Sequence, residues 1–225
     1  YSSILFTQSY EYNYIDACLT VPASVKVLTM SDVNSNGMRG FYINVESSSE
    51  PLIINLKNVR FFAPLNKPAI SSKRDIIINC FEKATLYGGA GSVDETYPLK
   101  HASAGIEMRQ NNLYLNGSGK LYISGGGGGK KTDWQVFSYN EAAGNGGTGI
   151  EVNNLVSAVS VLEVDGGYGG VGGYGKAGEA GKNGSGVQSN GVGARGGDGG
   201  EGSRGCNGGA GGSAIWILGD YFAVY

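Results

Sequence analysis

The sequence predicts an all-β protein: a β-solenoid carrying a polyglycine-II-type glycine-rich insertion. Three observations predict it. Short runs of β-branched and aromatic residues recur between Gly, Asn, Ser and Pro. A layout of paired short strands repeats along the chain. A late tract places glycine at every third position. No i, i+3, i+4, i+7 apolar stripe persists over three turns, so helices find no support.

The strand runs come in order. Val25, Val27 and Leu28 form the first, then Phe41–Val45 and Leu52–Leu56. Ile76–Ile78, Leu113–Leu115, Leu121–Ile123 and Val159–Val164 follow. Three stretches share one plan: a small residue plus Ile, a gap, a short strand, a second short strand and a Gly pair. They start at Ala69-Ile70, Gly105-Ile106 and Gly149-Ile150, and the tail opens the same way at Ala214-Ile215. The Ile-to-Ile steps are 36, 44 and 65 residues, so insertions lengthen successive units. A unit with two or three short strands and no helix cannot bury its apolar face alone, whereas coils stacked about 4.8 Å apart can. An ordinary β-sandwich is the competing architecture.

Of the 225 residues, 41 are glycine and only 5 are proline. Collagen, which needs both in abundance, is therefore not the expected fold. Apolar residues make up 40% and charged residues 16%, with a net charge of −2. The chain has enough apolar material for a core and lacks the basic footprint of a nucleic-acid binder. No apolar run approaches the 18 residues of a membrane-spanning helix. The chain opens at Tyr1 without Met, as a processed protein or a fragment would. His101 is the single histidine, which leaves little material for His-dependent nucleophilic or metal chemistry. Cys18, Cys80 and Cys206 form no CxxC pair. Two readings stand for them: buried free thiols, or cross-links within or between chains.

Residues 166–212 hold 23 of the glycines. From Gly166 to Gly211, every third residue is Gly at fourteen of sixteen positions, with Val187 and Asn190 the exceptions. Tyr168, Tyr174 and most other bulky residues of the tract fall in a different phase. Flexible-linker composition would not sort residues in this way. A three-residue period fits polyproline-II-type rods that approach on their Gly edge and bond backbone to backbone. The chain thus divides into a solenoid body, 1–165, a glycine-triplet polyglycine-II tract, 166–212, and a returning terminal strand or cap, 213–225, with Trp216 and Phe222 as cover.

Several segments, LIINLKNVRF (52–61), KPAISSKRDIIIN (67–79), KATLYGG (83–89), AGIEMRQNNLYLNGSGKLYISGG (104–126) and TGIEVNN (148–154), together resemble a bacterial family described as carbohydrate-binding domain-containing proteins. The sharpest shared element is Asn116-Gly117-Ser118-Gly119 between two strands. The resemblance spans about residues 40–165 and implies a secreted or surface right-handed parallel β-helix that binds carbohydrate. The triplet tract is similar, in composition, to polyglycine-II tips of phage tail-fibre adhesins.

Glu107 and Glu151 fill the same slot after Ile106 and Ile150. Inward Ile places both carboxylates outward, about 4.8 Å apart. A solvated face is the plain reading, a shared Ca²⁺ the second and a retaining glycosidase pair the third. Gly125–Thr132 (GGGGGKKT) fails as a phosphate loop because Lys131 stands where Ser or Thr is required. Trp134 and Tyr139 lie in a long insertion, and Tyr168 and Tyr174 repeat six apart. These aromatics suit cover of a Gly-rich layer, protein contact, or the face of a sugar ring. The resulting expectation is a non-catalytic extracellular or cell-surface adhesion or structural module, its partner a polysaccharide or cell-surface glycan. The alternative is a self-assembling filament subunit contacting copies of itself.

Overall fold

The computed structural model describes residues 2–8, 14–32, 37–91, 102–129, 143–170 and 209–225. Strands, and no helix, build this part of the chain: β1 (Ser2–Gln8), β2 (Tyr14–Val21), β3 (Val25–Asp32), β4 (Met38–Val45), β5 (Leu52–Lys57), β6 (Val59–Phe62), β7 (Ile70–Ser72), β8 (Ile76–Cys80), β9 (Lys83–Tyr87), β10 (Ile106–Ser124), β11 (Ile150–Asp165), β12 (Ile215–Ile217) and β13 (Phe222–Val224). All belong to one sheet. Every pairing is parallel.

Alternation along each strand decides which side chains enter the core. In β8, Ile76, Ile78 and Cys80 are buried, while Ile77 and Asn79 are half-buried on the other face. The repeated small-plus-Ile slot becomes a ladder in register: Ile43, Ile70, Ile106, Ile150 and Ile215 pair in succession. A second apolar ladder runs Leu28, Ile54, Ile78 and Leu115. A third runs Met38, Phe61, Leu86, Ile123 and Val164. The ladders meet in one apolar cluster. Each fully enclosed Ile or Leu contributes roughly 1.5–3 kcal/mol.

The open right-handed parallel β-helix, or β-solenoid, is not what these strands form. Strands β4, β6, β9, β10 and β7 close into a five-strand parallel barrel, to which the other strands attach. The reason lies in β10. Two short strands were expected on either side of Asn116-Gly117-Ser118-Gly119, but the chain runs through as one strand of 19 residues. Gly117 takes a φ of 115°. Its missing side chain leaves room for the Cys80 backbone, with the Cys80 nitrogen 2.8 Å from where a Cβ would sit. The pairing shifts register between Gly117 and Lys120 and resumes with β9 at Lys120. Unbroken, β10 reaches β7 at one end and β9 at the other, and so joins two rows that both lead back to β4. Strands β1 and β2, absent from the sequence expectation, extend the sheet beyond β3 and β4.

The Gly-rich segments 125–129, 143–149, 166–170 and 209–212 carry no strand but bond to one another through their backbones. One relay of amide-to-carbonyl bonds passes from Gly212 to Gly167, Gly147, Gly126, Ser103, Gly89 and Lys67, each step between 2.8 and 3.0 Å. Added side chains would strike neighbouring carbonyl groups at most of these glycines. Only the ends of the 166–212 tract fall in this layer, because 171–208 lie outside the described residues. In the tail, Trp216 and Phe222 are about half exposed, 52% and 53%, and pair in register with the buried Glu151 and Leu155. Among the described residues, no helix is long and apolar enough to cross a membrane.

Candidate functional site

The richest concentration of chemistry lies where β10 and β11 leave the barrel and enter the Gly layer. Tyr122 near the end of β10 and Asp165 at the end of β11 point away from the core. The Tyr122 hydroxyl donates to Asp165 Oδ2 at 2.7 Å. Deprotonating that phenol would set a second negative charge against the carboxylate. This bond, with some burial, pushes the Tyr122 pKa up to about 12. The pair edges a cleft of about 420 Å³, bounded also by Ser124, Tyr168, Ala214 and Gly backbone. That volume is within the usual range for small-molecule sites. Tyr168 is 88% exposed. Its backbone is fixed, since its carbonyl accepts from Gly128 N at 2.6 Å. Tyr168 thus presents an exposed aromatic side chain, on a hydrogen-bonded backbone, in the cleft that also holds the Asp165 carboxylate.

Tyr122 continues an aromatic row across the outer face. Phe62 and Tyr87 stack with centroids 4.5 Å apart and planes 1° from parallel. Tyr87 meets Tyr122 at 5.5 Å and 60°. The register explains the row, because Phe62 pairs with Tyr87 and Tyr87 with Ser124, two residues along the same face from Tyr122. Stacked on each other, Phe62 and Tyr87 present mainly edges to solvent. At the far end, the Arg39 and Arg60 guanidinium carbons lie 5.2 and 4.9 Å from the Phe62 centroid.

Glu107 and Glu151 are register partners on β10 and β11. Between them sits Arg109, whose Nε lies 2.9 Å from Glu151 Oε1 and 3.4 Å from Glu107 Oε1. Glu151 is buried, with Trp216 as its register partner on the other side. Both carboxylates are thus engaged by one guanidinium. Among the described residues, no group of three or more potential metal ligands occurs.

Of the candidate contact, metal and cross-link residues that the structure describes, Tyr168 alone lines the cleft. Trp134, Tyr139, Tyr174 and Cys206 lie outside the described residues. Cys18 is an exposed free thiol and Cys80 a buried one. Burial pushes the Cys80 pKa up, partly opposed by backbone hydrogen bonds. Cys18 is therefore accessible to a second chain in the folded protein and Cys80 is not. Sequence reading missed Tyr122, Asp165 and Arg109. A signal existed for Asp165: Ser124-Gly-Gly and Asp165-Gly-Gly close successive units, and the two residues pair in register.

No protein-family model, curated protein or solved structure matches this chain.

Proposed function

We propose that the chain is a non-catalytic carbohydrate-binding module, serving adhesion outside the cell or on its surface, and that the Tyr122–Asp165–Tyr168 cleft is its contact with a polysaccharide or cell-surface glycan. The observation that carries this reading is the exposed Tyr168 side chain lining the same cleft as Asp165, whose Oδ1 has no partner among the described residues. A retaining glycosidase would require two carboxyl groups about 5 Å apart, one acting as nucleophile and the other as acid. Asp165 is instead engaged by a phenol, and Glu107 and Glu151 by Arg109. A glycan array followed by titration tests the reading. Binding should fall at least tenfold in Tyr168→Ala and in Asp165→Asn. Silence across the array, or binding indifferent to both changes, would refute it.

A second reading, self-association into a filament, is favoured by one observation. Strands β12 and β13 pair only with β11 among the described residues. Trp216, Leu218, Tyr221, Phe222 and Val224 are exposed there. An uncovered strand edge with apolar side chains templates further pairing. Light scattering against concentration separates the two readings, since a monomer at every concentration removes the filament.

A further inference from the structure

The aromatic row that ends at the cleft begins at two arginines. Arg39 on β4 and Arg60 on β6 approach the same ring, Phe62. Tyr87 lies flat against one face of that ring, so the two guanidinium groups divide what remains of it. Arg60 also lies 5.9 Å from the Tyr87 centroid. Gly37, at a φ of 79°, leaves room for the Arg60 stem: a Cβ there would meet Arg60 Cγ at 3.2 Å. Both arginines are exposed. Three other cations on this sheet meet carboxylates, Lys57 with Glu82, Lys120 with Glu163, and Arg109 with Glu107 and Glu151, whereas Lys26 and Lys83 pair with none among the described residues. Among the described residues, no carboxylate pairs with Arg39 or Arg60. An aromatic ring holds a guanidinium by its flat face and leaves the N–H fork at its rim unspent. Two guanidinium groups within 5.2 Å of one ring centroid and without a counter-charge raise the local positive potential, which an oxyanion accepting from their forks would relieve.

We propose that Arg39 and Arg60 form an anion-binding site for a sulfate ester or uronate carboxylate of an acidic polysaccharide, two aromatic steps along the same face from the cleft. This inference deepens the carbohydrate reading and rests on it for the polymer's identity. The chain's net charge of −2 and the mutual stacking of Phe62 and Tyr87 argue against a nucleic acid, whose bases need uncovered aromatic faces.

The test is binding of the full chain to immobilised dextran, dextran sulfate, polygalacturonate and single-stranded DNA at low salt. Dextran sulfate or polygalacturonate should bind about tenfold or more tighter than dextran, and the stronger of the two identifies the anion. Arg39→Gln/Arg60→Gln should abolish the preference, and Arg39→Lys/Arg60→Lys should keep part of it, because a point charge replaces the fork without its geometry. Both side chains are exposed, and an unchanged unfolding midpoint confirms that the variants fold. Charge-dependent, Arg-dependent binding without any dextran binding would uphold the anion site and refute the sugar cleft. A preference unaltered in the Gln variant, no preference in the parent protein, or equally tight capture of DNA would each overturn the inference.

Discussion

Replacing Gly147 with Ala probes the Gly layer directly. The Gly147 amide donates to Gly126 O at 2.8 Å, and its carbonyl accepts from Gly167 N at 2.8 Å. A Cβ at 147 would run into the Ser103 carbonyl, with the Ser103 carbon at 2.6 Å and the Ala102 carbon at 3.1 Å. Ordinary contact begins at 3.4 Å, and the atoms in the way are all backbone, so no rotamer change makes room. The segment must move by most of an ångström, which stretches both hydrogen bonds. Two weakened backbone bonds cost about 0.5–1.5 kcal/mol each. Overpacking adds about 1–3 kcal/mol. The stiffer unfolded chain returns about 0.4–1 kcal/mol. The net expectation is a loss of roughly 1–6 kcal/mol, centred near 3, read from the urea midpoint at constant slope. Gly127→Ala is the matched control, because its nearest neighbour is Tyr168 O at 3.9 Å and it should be neutral or slightly stabilising. Amide exchange should quicken in 125–129 and 166–170 for the 147 variant alone. If the two Ala variants unfold at the same urea concentration, the tight backbone packing of this layer is wrong.

Two further outcomes follow from the outer face. Subtracting the alkaline absorbance titration of Tyr122→Phe from that of the parent should isolate one phenol with a midpoint near 12, and Asp165→Asn should bring it down toward the ordinary value. Because the folded-state pKa is raised, the Tyr122 contribution to stability is fully present below about pH 10 and lost as pH climbs toward 12. Arg109→Met should destabilise the fold by about 1–2 kcal/mol, since it leaves the buried Glu151 facing Glu107 without its counter-charge. The loss should shrink in high salt as the carboxylates are screened from each other, and an unchanged melting temperature would contradict the assignment.

Much of the fold was legible locally. The Ala69-Ile70, Gly105-Ile106, Gly149-Ile150 and Ala214-Ile215 phrases marked positions that stack in register, because a small residue before an inward Ile lets neighbouring backbones approach. The closure of β4, β6, β9, β10 and β7 was not legible. It depends on Gly117 bending a strand without ending it, and Asn-Gly-Ser-Gly reads equally well as a stop. Strands β1 and β2 escaped notice because Ser, Thr, Asp and Cys dilute their apolar pattern. Arg109 was within reach, since residues two apart in a strand share a face and it follows Glu107 by two. The Tyr122–Asp165 bond joins side chains 43 positions apart, so only the pairing of units reveals it.

The unbroken run of β10 bears on how the molecule comes apart. That one strand is bonded to β7, β8 and β9 along its length, and to β11 alongside. Repeat arrays whose units touch only their neighbours can melt unit by unit, each transition nearly independent of the next. Here a single segment stitches three rows together, so releasing any one of them tugs on the other two. Loss of order should therefore begin at the outlying strands β1, β12 and β13 and fray inward, and then the centre should give way in one cooperative event.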